Sequence, residues 1–157
     1  KSIRFKETDV RSVGRTAIGV RGIRLADKDK VVSLIVAESD DPILTATEKG
    51  YGKRTQLDEY RAQARGGSGV ISIKTSDRNG QVVGAIQVTD EDEMMLISDK
   101  GTLVRARAAD VSIIGRNTQG VTLINIADDE ALVSVAKIAE TDDDEEGAEE
   151  VEVKSEV

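Results

Sequence analysis

Apolar and polar residues alternate along this chain in short runs, and the runs recur. Residues 31–35 read Val-Val-Ser-Leu-Ile, residues 82–86 read Val-Val-Gly-Ala-Ile, and residues 132–136 read Leu-Val-Ser-Val-Ala. A period of two is the mark of half-buried strands, and no helical period is sustained anywhere. The pattern predicts strands near 20–25, 31–37, 43–47 and 53–57, then near 70–74, 82–88, 94–98 and 103–107. Glu48-Lys49-Gly50 and Asp99-Lys100-Gly101 predict hairpin turns, with glycine where positive φ is needed. Pro42 opens a strand, where a missing N–H is tolerated.

A second motif fixes the register of the repeat. Gln63-Ala64-Arg65-Gly66-Gly67-Ser68-Gly69 has looser copies at 13–19 and 114–120, and the closing glycines Gly19, Gly69 and Gly120 lie 50 and 51 residues apart. Nine residues before each glycine stand Val10, Tyr60 and Val111, each preceded by an acid. Six further back stand Arg4, Arg54 and Arg105. This spacing suits stacked or radially arranged units of about four strands. It divides the chain into the end of a preceding unit (1–10), two full units (11–60 and 61–111) and a partial one (112–139). The sequence does not begin with Met and its third unit breaks off, so a piece from the C-terminal part of a longer protein is expected.

Charge separates the chain into body and tail. Residues 1–139 carry 21 Lys and Arg against 20 Asp and Glu, whereas residues 140–157 carry ten acids against Lys154 alone. Few apolar residues and dense like charge predict a disordered acidic tail over 140–157. Cysteine and histidine are absent. Disulfides, thiolate metal sites and most nucleophilic or acid–base chemistries thereby lose their usual residues. No run approaches the roughly 20 apolar residues of a membrane helix and nothing at the start resembles a secretion signal, so a soluble, cytoplasmic protein is expected.

The anchor motifs suggest phosphate. Glycines let the backbone approach a ligand closely, and Arg15, Arg65 and Arg116 each stand four residues before a closing glycine. Further bases follow at Arg21, Arg24, Lys74 and Arg78, and on the expected fourth strands at Lys53, Arg54, Arg105 and Arg107. A second reading stays open, in which the anchor arginines are corner pieces paired with acids such as Glu59 or Asp110. Phe5, Tyr51 and Tyr60 are the only rings, too few for stacking single-stranded bases, so the expected nucleic-acid partner is a duplex held by its backbone. A protein-binding repeat scaffold is the competing class. An enzyme built on paired carboxylates is disfavoured, because the acids fall in repeated turns without a pocket wall.

At these residues the chain resembles the C-terminal domain of the DNA gyrase A protein. The family's box, Gln-Arg-Arg-Gly-Gly-Lys-Gly, is matched at Gln63, Arg65, Gly66, Gly67 and Gly69, and Ala64 and Ser68 stand where it has bases, which makes 63–69 a degenerate copy. Residues 18–23, 31–36, 43–55 and 112–121 also resemble its later repeats. The resemblance implies an all-β fold: a β-pinwheel of four-stranded antiparallel blades, present as a partial ring. It further implies a basic rim that wraps duplex DNA, so that the parent gyrase can introduce negative supercoils with ATP and Mg2+. Gyrase B and the N-terminal part of gyrase A would be the partners. The catalytic tyrosine would lie outside this chain, leaving it with no activity, metal or cofactor of its own. The equivalent domain of topoisomerase IV shares the implied fold, and residues 115–120 together with the acidic tail favour gyrase.

Overall fold

The β-branched and aliphatic runs form seven strands, joined by turns in which glycine takes positive φ. In the computed structural model, which describes residues 1–138, these are β1 (Ile43–Thr47), β2 (Tyr51–Thr55), β3 (Val82–Gln87), β4 (Glu93–Ser98), β5 (Leu103–Arg107), β6 (Val121–Thr122) and β7 (Leu132–Lys137). The acidic stretch 140–157 lies outside the described residues. Three short 3-10 turns, Glu7–Asp9, Leu57–Glu59 and Ala108–Asp110, keep the spacing of the repeat where the sequence predicts only polar turns.

Two antiparallel sheets result, in the orders β3-β1-β2-β6 and β5-β4-β7. Each is built on a hairpin whose first strand is also paired with a strand some 40 residues further on: β3 returns to β1 (Leu44 opposite Ile86) and β7 returns to β4 (Leu96 opposite Val135). The first sheet thus gathers strands between 43 and 87 and adds β6 from further along the chain, and the second gathers β4, β5 and β7 between 93 and 137. One core joins them. Leu44, Met94, Leu96 and Leu132 are fully buried together with Val88, Val111 and Val135. Burial of each large side chain contributes about 1.5–3 kcal/mol.

Residues 20–25, 31–37 and 70–74 are expected as strands, yet they form no ladder. The register gives the reason. The run at 31–36 corresponds to β3 and β7, whose partners are hairpin strands of the preceding repeat, and it pairs with no such strand among the described residues. Leu34 is 88% exposed and Val31 65%. Val70, the counterpart of Val121 in β6, keeps a single bridge to Ser2.

Candidate nucleic-acid interface

The anchor segments lock each repeat onto the one before it. The Gln63 N–H donates to the Arg4 carbonyl at 2.9 Å, the Gly66 N–H to the Gly22 carbonyl at 2.7 Å, and the Arg24 N–H to the Gly67 carbonyl at 2.8 Å. One repeat later, the Ile114 N–H donates to the Arg54 carbonyl at 2.9 Å and the Lys74 N–H to the Thr118 carbonyl at 2.8 Å. The closing glycines complete the joint. Gly69 and Gly120 take φ of +68° and +83°, and a Cβ on either would strike a carbonyl oxygen, of Ser2 or of Gly52 respectively. Gly19 has the same backbone conformation, φ +87°, but open space beside it.

The anchor arginines take part in this joint. Arg65 donates from Nη1 to the Arg21 carbonyl and from Nε to the Asp9 carbonyl at 3.0 Å. Arg116 donates from Nη1 to the Ile71 carbonyl at 2.8 Å. Residues 21 and 71 are repeat equivalents, so both guanidinium groups hold the chain just beyond the previous closing glycine. The partners are carbonyls rather than the acids that a corner role suggests. Glu59 instead accepts the Arg116 backbone N–H at 3.2 Å. Arg15 is exposed and makes no side-chain hydrogen bond among the described residues.

Of the four bases expected on the fourth strands, two turn inward. Lys53 is 0% exposed and Arg54 4%, because the third anchor loop closes over β2. Arg54 donates from Nε to the Val111 carbonyl at 2.8 Å and from Nη1 to Asp90 at 2.5 Å. The Lys53 ammonium donates to the carbonyls of Gly115 and Arg116 at 2.6 and 2.5 Å, and to Thr118 Oγ1 at 3.2 Å. Burial pushes its pKa down to about 8, with Glu59 working against the fall and Arg116 adding to it. Neither side chain reaches the surface, which corrects the expectation of direct phosphate contact at these two positions. Arg105 and Arg107 are exposed but engaged, by Glu93 and by Asp110.

Several exposed bases without an ion pair among the described residues stand around the anchor loops, and others, Lys28, Lys30 and Lys49, stand in turns. Arg21 and Arg24 flank Gly66 and Gly67, through the bonds from Arg65 and Arg24 just described, and Lys74 stands in the same relation to the loop at 115–118. Arg78 is exposed and lies over the Tyr51 ring, 4.9 Å from its centroid. Lys6 joins the second loop, lining a shallow depression with Asp9, Gln63 and Ala64, a position that the sequence did not signal. Three acids, Asp40, Asp41 and Asp90, line a separate depression with Pro42, Gln56 and Ile113. Tyr60 is buried, its hydroxyl 3.0 Å from Ser72 Oγ. No helix among the described residues is long and apolar enough to cross a membrane.

Comparison with known proteins gives one consistent answer. The family described as "DNA gyrase C-terminal domain, beta-propeller" matches residues 1–38, 41–89 and 92–139. The DNA gyrase A protein of Klebsiella oxytoca is 61% identical over 146 residues, and that of Escherichia coli K12 is 57% identical over the same length. Each alignment covers 93% of this chain and 17% of the relative, so the chain spans about a sixth of those proteins. A solved DNA gyrase A C-terminal domain superposes with a TM-score of 0.80 at 33% identity, covering 86% of this chain and 46% of that one. A topoisomerase IV C-terminal domain gives 0.78 at 26% identity, covering 85% and 42%. Shape alone does not separate the two; the sequence identities do, and they point to gyrase.

Proposed function

This chain belongs to the DNA gyrase C-terminal domain family, and from that premise we propose that it is a non-catalytic, DNA-wrapping part of a gyrase A protein. Duplex DNA lies along the anchor-loop side and is bent by contacts repeated from unit to unit. The parent enzyme, acting in the cytoplasm, uses the wrap to introduce negative supercoils. Gyrase B supplies ATP hydrolysis with Mg2+, and the N-terminal part of gyrase A supplies the catalytic tyrosine.

The observation that carries this reading is a row of unpaired bases at the anchor loops. Arg21, Arg24, Lys74 and Arg78 are exposed without ion pairs among the described residues, around two loops that the repeat places in equivalent positions. Of the bases further from those loops, Arg105, Arg107, Lys100 and Lys137 are each engaged by an acid, while Lys28, Lys30 and Lys49 are exposed in turns. Phosphates bound through such a row release counterions, so affinity must fall steeply with salt. The deciding measurement is affinity for a linear duplex against salt concentration, with a relaxed circular duplex and a topoisomerase added to register wrapping. Binding that ignores salt, or none, removes the proposal and leaves a protein-binding scaffold.

A further inference from the structure

The third anchor loop differs from the second in how its shape is held. At 63–69 two adjacent glycines make the bend, with Gly66 at φ +83°. The loop at 115–118 has Arg116, Asn117 and Thr118 in that region, none of them at positive φ. Hydrogen bonds replace the freedom of glycine. Thr55 Oγ1 donates to the Ile114 carbonyl at 2.9 Å, and Lys53 Nζ to the carbonyls of Gly115 and Arg116. The Lys74 N–H takes the Thr118 carbonyl and Asn79 Nδ2 the Gln119 carbonyl, at 2.8 and 3.0 Å. Five of the six carbonyls from 114 to 119 are thus turned toward donors inside the protein. The N–H groups of Asn117, Thr118 and Gln119 have no acceptor among the described residues. Successive unpaired amides in a turn are donors for an anion.

Beneath this loop lies a buried cation whose close partners are all neutral. The repeat equivalent of Lys53 is Ile3, which packs near Gly67 under the second loop. The charge of Lys53 is therefore peculiar to the third loop. The charged groups facing it are the Glu59 carboxylate, from the 3-10 turn, and Arg116, from the loop itself. Glu59 is partly engaged by the Arg116 N–H. A second anion above the loop would stabilise the ammonium further.

We propose that Lys53 is a positioning residue that makes the loop at 115–119 a phosphodiester site, its ammonium drawing the carbonyls inward so that the amides of Asn117, Thr118 and Gln119 receive the phosphate. The inference rests on the DNA-binding reading and deepens it. Lys53 never touches DNA; it acts through the loop and through its charge. Because burial holds the ammonium near pH 8, bound phosphate and the proton on Lys53 favour one another, and binding weakens as pH rises through that value.

The test uses the whole chain and a linear duplex of mixed sequence, with Lys53→Met beside the wild type. Wild-type affinity should fall about three- to tenfold between about pH 7 and about pH 9.5 beyond any change seen in the variant. Lys53→Met should bind about three- to tenfold more weakly at about pH 7 and be nearly flat across that range. Amide resonances of Asn117, Thr118 and Gln119 should shift when duplex is added to the wild type. If Lys53→Met does not fold, the wild-type pH profile and those three resonances decide the matter. Duplex binding that is equal in both proteins, or that leaves the three amides unmoved, overturns this inference alone. Absence of duplex binding at every pH overturns the DNA reading with it.

Discussion

Arg116 Nη1 donates to the carbonyl oxygen of Ile71 at 2.8 Å, so an anchor arginine of one repeat holds the chain that leaves the anchor of the repeat before it. Arg65 does the same at Arg21. Arg65→Ala and Arg116→Ala should each lower stability by about 0.5–1.5 kcal/mol, since an exposed carbonyl exchanges a charged donor for water. Arg15→Ala, at an exposed position, should stay within about 0.5 kcal/mol. Urea unfolding of the three variants checks this, and equal midpoints would mean that the joint contributes little.

The closing glycines offer a sharper comparison. All three sit at positive φ, but only Gly69 and Gly120 face a carbonyl oxygen. Gly19→Ala should cost about 1–2 kcal/mol for the left-handed backbone alone. Gly69→Ala and Gly120→Ala should cost about 1–3 kcal/mol more, because the methyl collides with backbone that must shift. Thermal melting should rank Gly19→Ala as the mildest; similar losses at all three would show that the close approach adds nothing.

The row of unpaired bases predicts the salt response of the wild type and of its variants. With about two phosphate contacts per repeat, the log–log slope of affinity against salt should be roughly −4 to −6. Arg21→Ala, Arg24→Ala and Lys74→Ala should each make it shallower by about one. Arg105→Ala and Arg107→Ala remove cations already engaged by Glu93 and Asp110 and should change it less. Titrations at several salt concentrations separate the two groups, and the reverse ranking would move the DNA to another face.

Acid should weaken the joint between β4 and β7. Burial opposes ionisation of Asp92, but hydrogen bonds from Lys137 and the Thr89 N–H outweigh it and hold its pKa below the ordinary value of 3.8. With a depressed folded pKa, its contribution is complete above the ordinary carboxylate range and is lost as pH falls through the folded value. Asp92→Asn should therefore cost about 1 kcal/mol near neutral pH and flatten the fall in stability below about pH 4. A melting curve with the wild-type acid limb intact in the variant would assign that limb to other groups.

The ten acids of residues 140–157 are expected to compete with DNA for the same bases. Covalent attachment would give them an effective concentration on the order of millimolar at those bases. Ending the chain after Ala139 should tighten duplex binding several-fold at low salt, with the gain shrinking as salt rises. Identical low-salt affinities would leave the tail a role in solubility only.

Alternation and turn chemistry are local, and the sequence accordingly determined the hairpins β1–β2 and β4–β5, the runs that became β3 and β7, and the register set by Gly19, Gly69 and Gly120. The residues at 63–69 were sufficient to suggest the family. Partnership was not local. The runs at 31–36 and 82–87 look alike, yet among the described residues only the second pairs with a hairpin strand, and the first is exposed. The fate of each base was decided in the same way. Nothing near Lys53 in the sequence distinguishes it from an exposed lysine; it is buried because a loop some 60 residues away closes over β2 and offers it carbonyls. A charged side chain can stay inside only where such acceptors are already assembled, and their assembly is a property of the folded chain.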